Sequence, residues 1–277
     1  MKIAIIGLGL IGGSLAKAFK AYTDNRVYGC DADAATLAYA KLSETIDEPL
    51  TDEILPECDL VIVALYPNAT IRVLSEKAPL IKKGALVIDT CGTKRKVCAA
   101  CFALAETYGF TFVGGHPMAG IQFSGIKYSR ADLFKGASMI LVPPHLDDMA
   151  FLTGMKTLFL PLGFSKVVLT TPEKHDEIIA FTSQLAHIVS SAYIKSDTAK
   201  LHHGFSAGSY KDMTRVATLN DTMWTELFLE NRDNLLHEID NIVSALTDFR
   251  AALAADDGEK LSALLREGTQ DKSRIDG

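Results

Sequence analysis

Lys2-Ile-Ala-Ile-Ile-Gly-Leu-Gly-Leu-Ile-Gly12 decides how this chain folds. Lys2 to Ile6 is a short Ile-rich run, the pattern of a parallel strand buried on both faces. Gly7-x-Gly9-x-x-Gly12 follows, and Gly13-Ser14 leads into a helical pattern through Leu15, Ala18 and Phe19. A strand, then G-x-G-x-x-G, then a helix is the setting in which such glycines bind a dinucleotide. Gly7 makes the turn, Gly9 lets a pyrophosphate approach the backbone, and Gly12 allows close packing of helix on strand. The free amides at the helix start face the anion. A second strand, Val27 to Cys30, ends at Asp31, 19 residues past Gly12. An acid placed there accepts hydrogen bonds from a ribose 2′-hydroxyl and repels a 2′-phosphate, which predicts NAD rather than NADP as cofactor. Asp33 adds to the negative field. Leu10 and Ile11 in the fingerprint, and Leu65 and Cys91 at later strand ends, complete the expected cofactor contacts.

Outward from this start the α/β alternation continues. Helices are expected over residues 33–43, 94–108 and 149–159, with one opening at Pro67. Strands are expected over 59–65, 85–89, 110–113, 137–142 and 167–170. The predicted fold is a Rossmann-type, doubly wound, mostly parallel sheet, with its ligands outside the carboxyl ends of the strands. The loops after Leu65, Asp89 and Val113 all fall on that side. Beyond Pro172 the strand-like runs stop and helical periodicity takes over. The division expected is a NAD-binding domain over 1–171 and an all-helical substrate and dimerisation domain over 172–277.

Val113-Gly-Gly-His-Pro-Met-Ala-Gly120 is the chemically loaded stretch. Two glycines and a proline frame one imidazole on what reads as a stiff turn at the ligand edge. His116 is therefore the candidate proton acceptor, since imidazole titrates nearest neutral pH. In the helical part, Asp176, Ala180, Ser183 and His187 recur at spacings that share one helical face, with His175 about a third of a turn away. A flexible entry at Gly204 precedes a short helix bearing Asp212 and Arg215. Asn220 caps a helix expected to run unbroken for about 35 residues, with part of its apolar face covered by a second subunit as a homodimer. A last helix is expected over Glu259 to Glu267, followed by a frayed polar tail.

Bulk composition excludes several classes of partner. The chain has 277 residues, is 48% hydrophobic and 22% charged, and carries a net charge of −6. It has no basic stripe for nucleic acid and no apolar run near the ~20 residues of a membrane span. Five scattered cysteines suit a reducing cytoplasm. The pair Cys98 and Cys101 has no second pair with which to hold zinc, and no metal is expected. His145, His202, His203 and His237 are assigned to solvent or packing.

Taken together, these motifs resemble the prephenate/arogenate dehydrogenases of tyrosine biosynthesis. Gly114-Gly-His-Pro-Met-Ala-Gly120 is similar to the family's catalytic-histidine motif. His175-Asp176 with Ser183-Gln-Leu-Ala-His187 is similar to its substrate-domain helix. Gly208, Asp212, Thr214-Arg215, Met223-Trp224 and Leu229-Glu-Asn231 match its downstream motif. The resemblance implies NAD-dependent oxidative decarboxylation of a ring that carries a hydroxyl and a carboxylate. It implies that His116 accepts the hydroxyl proton, that Arg215 clamps a carboxylate and that His187 contacts the substrate side chain. Gly92 and Gly208 complete the implied substrate site, Trp224 shapes the pocket, and His175 and Asp176 support it. A neutral or cationic His187 favours a keto-acid over an added ammonium, which points to prephenate rather than arogenate.

Two departures stand out. Many members have Ser in the Asp-x-Gly-Ser-x-Lys turn; here Asp89-Thr-Cys-Gly-Thr-Lys94 places Gly92 at that position, leaving backbone amides, Thr93 or water to replace the hydroxyl. The histidine motif usually continues Gly-Thr-Glu, and here it reads Gly120-Ile-Gln122, without the gating carboxylate. A two-domain dehydrogenase of the β-hydroxyacid type is the nearest alternative. It would use a Lys base from the helical part and leave the His116 motif unexplained.

Overall fold

The computed structural model describes residues 1–276. Its apolar runs pair as read. β1 (Lys2–Ile6) lies between β2 (Arg26–Cys30) and β4 (Leu60–Val63), parallel to both. β5 (Leu86–Asp89) and β6 (Thr111–Pro117) extend the sheet in parallel beyond β4. The two-residue β3 (Glu48–Pro49) forms the far edge against β2 and was not foreseen. β7 (Ser138–Val142) pairs antiparallel with β6, and β8 (Lys166–Leu169) pairs parallel with β7. The order is β3-β2-β1-β4-β5-β6-β7-β8. Successive residues of β1 enter different cores: Ile3 and Ile5 one cluster, Ala4 and Ile6 the other. This is the period-two signature of a sheet covered on both faces.

The covering helices are α1 (Leu10–Tyr22), α2 (Ala34–Leu42), α3 (Pro67–Lys77), α4 (Arg95–Tyr108) and α5 (Met149–Phe159). From Pro172 onward the described chain is helical, as expected. It comprises α6 (Pro172–Ile179), α7 (Ala186–Tyr193), α8 (Gly208–Thr214), α9 (Asp221–Glu230), α10 (Arg232–Ala254) and α11 (Gly258–Asp276). Among the described residues, no helix is long and apolar enough to cross a membrane.

Several local expectations need correction. The helix expected to run on from Asn220 is broken at Asn231, which is fully buried. Its amide gives hydrogen bonds to the Asp176 carbonyl and to Gln184 Oε1, both at 2.8 Å, and its Oδ1 accepts from Arg95 at 3.0 Å. These bonds hold Asn231 outside helical geometry. The run from Asp176 to His187 is not one regular helix, because a π-helical turn (Ala180–Leu185) joins α6 to α7. The wider turn shifts the buried stripe, so that Gln184 and Leu185 are buried while Ser183 is only partly so. The last helix does not stop near Glu267 but continues to Asp276.

The His116 motif also departs from its reading as a turn. Gly114, Gly115, His116 and Pro117 all belong to β6 and pair with Val142, Leu141, Ile140 and Met139. The glycines are there for close approach. A Cβ on Gly115 would stand 2.3 Å from the Asp89 carbonyl oxygen, and one on Gly114 would stand 2.6 Å from the Cys98 sulfur.

Candidate active site

The dinucleotide cradle is built by backbone. Gly7 has φ +92, where a Cβ would strike the Ala64 carbonyl at 2.5 Å. A Cβ on Gly12 would stand 1.9 Å from the Gly7 oxygen, so only glycine lets α1 sit this close to the loop. α1 starts at Gly9 with no side-chain cap and no acid in its first turn. A Cβ on Gly9 would meet nothing. Uncapped amides over open space are what a pyrophosphate needs. Leu10 and Ile11 form the first turn. Asp31 sits at the end of β2, where its carboxylate accepts from Leu8 N (2.7 Å) and Asp33 N (2.9 Å). These contacts tie Asp31 to the glycine loop. Asp33 is spent as the N-cap of α2, accepting from Ala35 and Thr36.

The loops after β4 and β5 are fastened to each other. The Leu65 carbonyl accepts from Cys91 Sγ (3.4 Å) and from Thr70 Oγ1 (3.3 Å), and the Leu65 side chain covers Gly7. The Cys91 thiol therefore faces inward, and burial, with the Asp89 charge, holds it in the protonated form. Asp89, at the end of β5, is completely buried and forms an ion pair with Lys94. Its second oxygen accepts from Gly115 N at 2.9 Å, and its first also accepts from Cys91 N at 2.8 Å.

His116 projects from the last part of β6 and is partly exposed. Its Nδ1 lies 2.9 Å from Nε2 of His175. His175 Nδ1 lies 2.7 Å from Asp176 Oδ1, and both of these side chains are out of solvent. Asp176 also accepts from the amides of Lys94 (2.7 Å) and Arg95 (2.9 Å). Burial, the neighbouring His175 and the Lys94 charge hold the His116 pKa well below the ordinary imidazole value. His116 is therefore neutral at neutral pH. Burial also lowers His175, against the opposing pull of Asp176.

A second group lies on α7, α8 and α9. His187 Nδ1 is 2.7 Å from the Ser183 carbonyl oxygen, and its ring lies on Trp224 with centroids 4.0 Å apart. A carbonyl can only accept, so Nδ1 carries the proton and Nε2 is left as an acceptor. Burial, and then the charge of Arg215, lower the His187 pKa, so Arg215 at the end of α8 reaches this ring electrostatically. Gly208 opens α8. Gly92 links the two groups, because a Cβ there would lie 3.2 Å from Leu227, one turn beyond Trp224 on α9. Thr93, one candidate to replace the missing hydroxyl, is already engaged. It is buried and donates to Glu230 Oε2 at 2.7 Å.

His175 and Asp176, expected only as supporting positions, lie in direct line with His116. The signal for more was the histidine directly beside an aspartate on a face that also carries His187. The contact with His116 could not be read, because 59 residues separate the two rings.

The architecture is that of a Rossmann-type dinucleotide-binding sheet followed by an all-helical part. Residues 15–169 match the family model of the prephenate dehydrogenase nucleotide-binding domain, and residues 171–267 match that of the prephenate dehydrogenase dimerization domain. The prephenate dehydrogenase of Bacillus subtilis (strain 168) is 32% identical over 273 residues, covering 94% of this chain and 72% of that protein. The cyclohexadienyl dehydrogenase of Zymomonas mobilis is 30% identical over 275 residues, covering 96% and 92%. The crystal structure of Aquifex aeolicus prephenate dehydrogenase with hydroxyphenyl propionate and NAD+ superposes with a TM-score of 0.83 at 28% identity, covering 99% of this chain and 98% of that one. The chain belongs to the prephenate dehydrogenase family, a family of NAD-dependent oxidoreductases.

Proposed function

We propose that this protein catalyses the NAD-dependent oxidative decarboxylation of prephenate to 4-hydroxyphenylpyruvate, a step of tyrosine biosynthesis. The observation that carries the reading is His116, a neutral imidazole at the carboxyl edge of the sheet beside the fastened cofactor loops. Gly7, Gly9, Leu10, Ile11 and Gly12 would hold the pyrophosphate, Asp31 the adenosine ribose, and Leu65 and Cys91 the loops beside the nicotinamide. When bound, NAD+ supplies the hydride acceptor. His116 takes the proton of the ring hydroxyl as the ring carbon bearing it gives up hydride. Loss of CO2 then leaves its electron pair in the ring, which becomes aromatic, and His116 returns the proton to the ring oxygen. The base is thus regenerated in each turnover. Arg215 holds a substrate carboxylate through its planar fork. His187 and Gly208 contact the substrate side chain, and Gly92 leaves room beside the ring.

The positive charge of Arg215 beside a neutral His187 favours the keto-acid side chain of prephenate over one bearing an ammonium. A second reading rests on the bare Nε2 of His187. That acceptor suits an N–H donor, so arogenate is the alternative substrate. The division of labour is a cofactor domain over 1–171 and a substrate domain over 172–277, working as a homodimer in the cytoplasm. The test is NADH formation with prephenate and with arogenate, measured separately. A kcat/KM at least about 10-fold higher for prephenate, worth ~1.4 kcal/mol, supports the proposal. Preference for arogenate transfers the chemistry to the second reading, and turnover of neither overturns both.

A further inference from the structure

We infer that His175 and Asp176, from the helical domain, complete His116 into a proton relay that crosses the domain boundary. The inference rests on His116 being the base.

The hydrogen bonds fix every tautomer in the chain. Asp176 Oδ1 receives Lys94 N, and Oδ2 receives Arg95 N and, at 3.3 Å, Arg95 Nε. A carboxylate facing so many donors accepts only. The hydrogen between Asp176 and His175 therefore sits on His175 Nδ1. In the neutral ring this leaves His175 Nε2 as a lone pair, so the hydrogen on the next contact sits on His116 Nδ1. Nε2 of His116 is then the bare acceptor required for the ring hydroxyl. A carboxylate anchored at the start of α4 thus determines, through two rings, which nitrogen of the base is free.

The same geometry gives the incoming proton a second position. As His116 Nε2 gains the hydroxyl proton, its Nδ1–H bond breaks and a bond to His175 Nε2 forms. His116 returns to neutral and the positive charge rests on His175, hydrogen-bonded to Asp176. When the ring oxygen takes its proton back, both transfers reverse, with no net proton and no redox change in the relay. The groups facing the pair are Lys94 and Arg95 at the start of α4, Asp89 at the end of β5, and Asp176 on α6. Of the two carboxylates, Asp176 alone bonds an imidazole of the pair, and it bonds His175. A cation is better accommodated there than on His116, whose ring partner among the described residues is another imidazole. Because His116 lies on β6 and the other two on α6, the competent base exists only with the domains docked.

His175→Gln separates holding from relaying. Its Oε1 replaces the accepting Nε2 and keeps the His116 tautomer, but it cannot take the proton. The expected result is a kcat lower by about 10-fold or more, a fraction of the full general-base contribution, with KM and NADH affinity little changed. Asp176→Asn removes the anion, so the pair binds a proton less readily and the acid limb of kcat/KM moves to lower pH. Ring-nitrogen NMR of the wild-type protein should show both rings protonated at Nδ1, a readout independent of turnover and of how well the variants fold. Wild-type kcat in His175→Gln with an unmoved acid limb in Asp176→Asn, or Nε2-protonated rings in the NMR, would overturn the relay. His116→Asn distinguishes the two levels of the argument. If that variant turns over normally, the base assignment itself fails. If it is inactive while His175→Gln matches wild type, only the relay fails.

Discussion

Thr93 and Glu230 meet across the two domains, the threonine hydroxyl donating to the carboxylate at 2.7 Å. The same carboxylate lies 3.1 Å from Lys96 and is almost wholly buried. Thr93 is therefore spent on holding α9 against the start of α4. Thr93→Val keeps the shape and removes the donor. It should cost about 1–3 kcal/mol of stability, the usual penalty for depriving a buried charged acceptor of a hydrogen bond. Chemical denaturation measures that loss, and kcat at a temperature well below the transition should stay near wild type. A large fall in kcat with unchanged stability would instead make Thr93 the substitute for the serine that Gly92 replaces.

Gly115 is the tightest point of β6. Gly115→Ala would bring a Cβ to 2.3 Å from backbone at Asp89 and displace the strand that carries His116. Overpacking of this kind costs about 1–3 kcal/mol. Both Tm and kcat should fall. A variant with wild-type values of both would show that β6 can shift without moving His116.

Asp31 has one role in holding the glycine loop and a proposed one in reading the ribose. Asp31→Asn retains an oxygen acceptor for Leu8 and loses the charge. NADH affinity should drop roughly 10-fold or more, given ~1.5–3 kcal/mol for a hydrogen bond to a charged group, while discrimination against NADPH narrows. Fluorescence titration with both reduced cofactors measures this, and unchanged selectivity would remove Asp31 from the ribose site.

Burial lowers the proton affinity of His116, His175 and His187 below the ordinary value of 6.5. Between the folded values and 6.5 the unfolded chain binds more protons than the folded one, so stability rises with pH across that window. The contribution is intact above 6.5 and is lost as pH falls below it. Asp176, held low by its hydrogen bonds against the opposing effect of burial, adds its own loss only further down, below about 4. Melting curves from pH 7.5 to 5 should show a falling Tm, with part of the slope absent in His187→Asn. A flat profile would mean that these rings titrate normally in the fold.

The sequence was most legible where local chemistry sets structure. The glycine fingerprint, the apolar runs and Asp31 each announce a geometry within a few residues. His116 stood out because its neighbours are glycine and proline. What could not be read depends on contacts between distant segments. The continuation of β6 through Pro117 needs β7 as a partner, and Gly114-Gly115 alone reads equally well as a turn. Asn231 breaks a helix because Asp176, Gln184 and Arg95 surround it, and periodicity contains none of them. The π-helical turn between α6 and α7 moved the buried stripe by a residue, which fixed spacing cannot anticipate.

Asp89 has a consequence for how the site can vary. One of its oxygens grips the strand that carries the imidazole, and the other grips the loop at Cys91 and the ammonium of Lys94. The width of one carboxylate thus sets the spacing between the strand that bears His116 and the loop at Cys91. That gap is set from inside the fold, by a buried group that surface substitutions do not reach.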